Sequence, residues 1–191
     1  MKRIIFLMVF LLALTGCSKK YTATSSALPN LDPGEDKATL VVLRDTVWGG
    51  VVVFETYVDR KFIGETQDKA YLVAKVDPGE RYVITVTENV GVAKINFEPG
   101  RIYLLNQNIA MGWWKSRTSG FSVADVAQAT RSMNSCAYFE YDRSKNAPDL
   151  KQSVYEKAVS SYEDDIKKNP EAYGDVVGYK GILYSEFVGK N

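Results

Sequence analysis

Asp77-Pro78-Gly79-Glu80 and Glu98-Pro99-Gly100-Arg101 each place proline and glycine at the two central positions of a type II turn, and beside both turns apolar residues recur at every second position. Leu72, Ala74 and Val76 enter the first turn on one face. Tyr82, Ile84 and Val86 leave it on one face, with Val83, Thr85 and Thr87 on the other. Ala93, Ile95 and Phe97, alternating with Lys94 and Asn96, enter the second turn, and Ile102 to Leu105 leave it. A two-residue period is that of a strand with one face inward, and tight turns between such runs pair neighbours antiparallel. Asp59-Arg60 marks a further hairpin, between Val52 to Val58 and Phe62-Ile63-Gly64, although Arg60 is not the residue a tight primed turn prefers. Leu40 to Leu43 is apolar at every position, which fits a strand buried on both faces. With a turn signal near every eight to twelve residues, the stretch holds about seven strands, the pattern of an antiparallel β-sandwich over 38–110.

The pattern changes after Met111. Ser122 to Asp125 reads as a capping box opening a short helix, with Val123, Val126, Ala127 and Met133 as its apolar positions. Cys136 to Tyr141 fits either the end of that helix or another strand. A second helix opens at Asp149, after Pro148, and closes at Asn169-Pro170. Leu150, Val154, Ala158, Tyr162 and Ile166 form its apolar stripe, opposite Gln152, Glu156, Ser160, Asp164 and Lys168. A helix of about twenty residues is marginal alone in water, so the stripe predicts docking on an outer sandwich face, at Tyr71, Val73, Val83 and Tyr103. The tail carries Tyr173, Tyr179, Tyr184 and Phe187 among glycines and reads as irregular chain laid on the core. The expected fold is therefore mainly β: a sandwich with one or two C-terminal α-helices, in a helical extension over 111–191, packed on it.

Three pieces recur in an order that resembles PEGA-type modules, small β-sandwich domains common in bacterial envelope lipoproteins. They are the Val-Asp-x-Lys-x-Ile-Gly hairpin at Val58 to Gly64, the turn at Val76 to Glu80, and the apolar-x-Pro-Gly-x-x-Tyr turn at Phe97 to Tyr103. The likeness covers about residues 38 to 108 and departs at the signature, where Pro78-Gly79-Glu80-Arg81 stands in place of Pro-Glu-Gly-Ala. It implies a sandwich and brings no catalytic residues with it.

At the amino end, Lys2 and Arg3 precede an unbroken apolar run from Ile4 to Leu14, too short to span a bilayer as a helix. Leu14-Thr15-Gly16-Cys17 then resembles the lipobox of bacterial lipoproteins. The resemblance implies removal of a signal peptide at 1–16, a diacylglycerol on the Cys17 thiol and an N-acyl chain on its new amino group. These covalent lipids are the only non-protein groups expected, with no cofactor. The plainer reading is an ordinary signal peptide with a chance cysteine at its end. Ser18 in the next position resembles the outer-membrane class of enteric lipoproteins, which implies the periplasmic face of the outer membrane. Residues 17–37, polar and without period, read as the lipidated cysteine and a flexible tether with an r.m.s. span of about 25 Å.

Function classes are narrowed mainly by residues the chain lacks. It contains no histidine, which removes Ser-His-Asp and Cys-His nucleophile activation and histidine-ligated metal sites. The 24 basic and 23 acidic residues fall to 22 and 23 once Lys2 and Arg3 are cut away, so no nucleic-acid partner is expected. Glu163-Asp164-Asp165 fans around a helix and cannot aim two carboxylates at one bond. Asp32, Glu35 and Asp36 lack the ordered spacing of a calcium loop. If Cys17 is acylated, Cys136 has no partner within the chain and is either a buried thiol or an intermolecular disulfide.

Trp113 and Trp114, with Trp48 and Tyr103 as possible neighbours, are the one candidate binding surface. Adjacent strand residues face opposite sides, so one tryptophan of the pair belongs to the core and the other is free for a partner. The expectation is a lipid-anchored, non-catalytic envelope protein of interaction or structural type, partnered by the membrane and by an envelope protein or glycan. One rival is a peptidoglycan- or glycan-binding lipoprotein that uses Trp113 or Trp114. The other is an enzyme with carboxylate-only chemistry.

Overall fold

The computed structural model describes residues 19–47, 52–111, 116–173 and 175–189. In chain order the strands begin with β1 (Thr22–Thr24), β2 (Ala38–Arg44), β3 (Phe54–Val58), β4 (Lys61–Thr66), β5 (Ala70–Val76) and β6 (Gly79–Val86). They continue with β7 (Val90–Phe97), β8 (Arg101–Met111), β9 (Ser116–Val123), β10 (Ala137–Tyr141) and β11 (Ile182–Leu183). Helices α1 (Val126–Ser135), α2 (Gln152–Lys168) and α3 (Tyr184–Val188) complete the chain with two 3-10 turns, at Arg143–Lys145 and Pro170–Tyr173. The fold is mainly β. One sheet runs β1-β10-β5-β2-β8-β11, with β9 also paired to β8, and the other runs β4-β3-β6-β7.

The large sheet is mixed rather than wholly antiparallel: β2 pairs β8 in parallel and β10 pairs β5 in parallel. Between β5 and β8 the chain crosses to the small sheet and returns, and between β9 and β10 it crosses through α1. Such crossovers permit parallel neighbours, which a hairpin does not. Gly79 (φ 110°) and Gly100 (φ 73°) take the positive dihedral that the Pro-Gly turns require, and Asp59 (φ 53°) takes it at the β3–β4 hairpin. Neither Pro-Gly turn pairs the strands it joins: β5 and β6, like β7 and β8, lie in different sheets, so both turns carry the chain across the sandwich instead of closing a hairpin.

Three apolar clusters make four layers. Leu40, Val42, Leu72, Val83, Ile95, Phe97 and Tyr103 pack between the sheets. Val41, Leu43, Tyr71, Ile102 and Leu104 pack on the outer face of the large sheet against Ala129 of α1 and Phe187 of α3. Tyr57, Phe62, Ile84 and Val92 pack on the outer face of the small sheet against Leu150, Ala158 and Tyr162. Every residue of β2 is buried because both faces of its sheet are covered. A fully buried large apolar side chain contributes roughly 1.5–3 kcal/mol, so each cluster matters to the fold.

Several expectations are corrected. Strands β1, β9, β10 and β11 lie outside 38–110, and 111–191 adds strands to the large sheet as well as helices. Residues 19–37 are packed rather than a tether: Thr22 and Pro33 are buried, β1 pairs β10, and Thr39 Oγ1 donates to Leu31 O at 2.9 Å. Polar segments of this kind are held by hydrogen bonds, which composition does not reveal. Asp125 itself caps α1, accepting from Gln128 N at 2.7 Å, while Ser122 and Val123 end β9. Helix α2 docks on the sandwich through its apolar stripe, but on the small sheet. Tyr71 lies under α1, and Val83 and Tyr103 lie between the sheets.

Candidate functional site

The amino-terminal arm is the most specifically built part of the surface. A bulge between Thr56 and Tyr57 shifts the register of β3 against β4, so Phe62 lies on the outer face while Thr66 points into the sandwich. Glu65 sits between them, only 2 % exposed. Its Oε2 accepts from Tyr21 N at 2.8 Å and Thr22 N at 3.1 Å, and its Oε1 accepts from Lys20 N at 3.2 Å. Glu65 N returns a bond to Thr22 Oγ1 at 2.9 Å. Hydrogen bonds to a charged group are worth about 1.5–3 kcal/mol each, so one carboxylate fixes three successive residues of the arm. Tyr21 stands edge-on to Phe62 at 5.5 Å, and its carbonyl accepts from Asp142 N at 2.9 Å. Lys19 Nζ lies 3.2 Å from the centre of the Phe139 ring. Burial pulls the Lys19 ammonium below its ordinary pKa, and Glu65 partly opposes this.

At the opposite edge of the small sheet a groove of about 780 Å³ opens between α2 and the β7–β9 border, with Ser153, Lys157, Asp165 and Tyr173 on one wall and Val90 and Thr118 on the other. Asn89 clamps this border: its Nδ2 donates to Thr118 O at 2.7 Å and its Oδ1 accepts from Thr118 N at 3.0 Å. Gly91 is required here, because a Cβ would fall 2.7 Å from Thr118 Oγ1 and 2.9 Å from Gly120 Cα. Ser153 and Ser161 line the groove, but a serine needs an adjacent base to act as a nucleophile.

A polar cluster crosses the interior. Gln107 Nε2 donates to Thr56 Oγ1 at 2.9 Å and Thr85 Oγ1 at 3.0 Å, while its Oε1 accepts from Thr66 Oγ1. Arg44, fully buried at the end of β2, donates through Nη1 to Val52 O at 2.7 Å and Thr66 O at 3.0 Å and lies 4.0 Å from the Phe54 ring centre. Burial lowers its pKa to about 10, against the raising influence of Asp68. These groups join strands of the two sheets.

Cys17, Trp48, Trp113 and Trp114 all lie outside the described residues. Tyr103, expected beside the tryptophans, is a core residue whose hydroxyl donates to Asn96 O at 3.0 Å and accepts from Glu98 N at 2.9 Å. Cys136 is free and half-buried at the end of α1, where burial and the Asp45 charge raise its thiol pKa to about 11. Glu163 is tied to Tyr82 and Lys94. Asp32 Oδ1 accepts from Gly34 N at 2.9 Å in a local turn. Among the described residues no three His, Cys, Asp or Glu side chains gather as a metal site, and no helix is long and apolar enough to cross a membrane. Nothing in the sequence marks Glu65, because a carboxylate that binds backbone N–H groups needs no patterned partner.

Compared with known families, residues 1–18 match the prokaryotic membrane lipoprotein lipid attachment site. No curated protein and no solved structure matches the chain. The chain thus carries a lipoprotein attachment site ahead of a mainly β fold and is a lipid-anchored protein of the cell envelope.

Proposed function

We propose that this protein is an envelope lipoprotein acylated on Cys17, held at the periplasmic face of the outer membrane, whose sandwich is a PEGA-like module acting through contacts rather than catalysis. The observation that carries the reading is the attachment site over residues 1–18, directly followed by a folded domain from Lys19. Three acyl chains, at about 0.8 kcal/mol per buried CH₂, exceed the two-signal requirement for stable anchoring. The partner is an envelope component within reach of that membrane. Metabolic labelling with a radioactive fatty acid tests the anchor. Wild-type protein takes up label and fractionates with membranes, whereas Cys17→Ser loses the label and accumulates as uncleaved precursor. Label retained by Cys17→Ser would sink the assignment.

A further inference from the structure

Three peptide units separate Cys17 from Lys20, a reach of at most about 11 Å between Cα atoms. Lys20, Tyr21 and Thr22 are fixed by Glu65, and β1 is paired to β10 from Thr22 onward. An acylated Cys17 sits at the headgroups, so the β1–β10–β4 edge is held beside them and cannot swing away as a domain on a twenty-residue tether does. We infer that this edge is a membrane-contacting surface and that its partner is the phospholipid headgroup layer. The inference rests on acylation of Cys17.

The chemistry of the edge suits that partner. Lys20, Lys61, Arg143 and Lys145 are exposed around it, and Tyr21 and Tyr141 form an aromatic base with Phe62. Glu140 and Asp142 moderate the positive charge, so the cations orient a domain that the lipid has already attached. Strand β7 lies three strand spacings from β4, roughly 14 Å away. The groove beside α2 therefore opens at the edge remote from the attachment point.

The test uses acylated, full-length mature protein in a Cys136→Ser background, reconstituted in phosphatidylethanolamine–phosphatidylglycerol vesicles that carry a headgroup-linked quencher. A fluorophore is placed at Arg143→Cys or at Lys157→Cys. Quenching at 143 is expected to exceed that at 157 several-fold, and about twenty Gly/Ser residues inserted after Ser18 are expected to remove the difference. Acylated protein quenched equally at both sites, or more strongly at 157, overturns the edge assignment. A contrast that survives the insertion overturns the short reach as its cause. Mass analysis of the amino-terminal peptide separates the two claims: a peptide without acyl chains overturns the anchor, and with it the orientation.

Discussion

Tyr82 and Glu163 are joined by a 2.7 Å hydrogen bond from the phenol to Oε1, the same oxygen that accepts from Lys94 Nζ at 3.0 Å. Tyr162 Oη meanwhile accepts from Lys94 N at 3.1 Å, so the middle of α2 is bonded to both β6 and β7. The Tyr82 hydroxyl, then Lys94, holds the Glu163 carboxyl below its ordinary pKa. Burial, then Glu163, raises Tyr82 to about 12, so the phenol keeps its donor proton at neutral pH.

The first prediction follows from that lowered carboxyl. A group whose folded pKa lies below its unfolded value adds stability above the unfolded pKa and loses it as pH falls through the folded one. Thermal melts taken between about pH 6 and about pH 3 should fall more steeply for wild type than for Glu163→Gln. Parallel curves would show that this contact carries no pH-dependent stability.

The second prediction concerns two isoleucines in different layers. Ile84 is 0 % exposed under α2, and Ile95 is 1 % exposed between the sheets. Truncation of either to alanine should cost roughly 2–5 kcal/mol, read as a lowered denaturation midpoint. Deleting residues 147 to 191 should also lower the melt and raise ANS binding, because it uncovers the outer cluster and takes Val176 from the inter-sheet core. Melts near wild type would remove these packing assignments.

The fold is legible in the sequence where one periodic signal decides the outcome. The all-apolar run in β2 and the stripe of α2 each map onto one structural device, whereas the two Pro-Gly turns, placed correctly in the chain, join strands of different sheets rather than antiparallel neighbours. Alternation within a strand tells which residues share a face, but not which sheet the strand joins or what covers that face. For this reason Tyr71, Val83 and Tyr103 look equivalent in sequence, yet Tyr71 ends under α1 while Val83 and Tyr103 end between the sheets. The β4 bulge inverts side-chain parity after Phe62, and β10 is too short to show a period. Glu65 was hidden for another reason: its partners are backbone N–H groups, which every non-proline residue has.

Cys136 supports a third prediction. With its thiol pKa raised to about 11, little thiolate is present at neutral pH. Alkylation by iodoacetamide near pH 7.4 should run roughly 100-fold slower than for an unperturbed cysteine and keep rising beyond about pH 9. A rate that levels off near the ordinary thiol pKa would contradict this environment.

The last prediction tests the hold of Glu65 on the arm. Glu65→Ala removes both acceptor oxygens and leaves the N–H groups of Lys20, Tyr21 and Thr22 to find water or unbind. Because Thr22 is buried beside residue 65, water cannot reach its N–H in place, and the arm must peel from β4 to solvate it. The expected cost is roughly 3 kcal/mol, less than three separate bonds would sum to, because one carboxylate serves all three. Trypsin should then cut after Lys19 and Lys20 several-fold faster, with cutting at Lys157 on α2 unchanged while the domain stays folded. Glu65→Gln retains one carbonyl acceptor and should fall between wild type and Glu65→Ala. Amino-terminal cleavage equally slow in all three proteins would show that pairing with β10 holds the arm without Glu65.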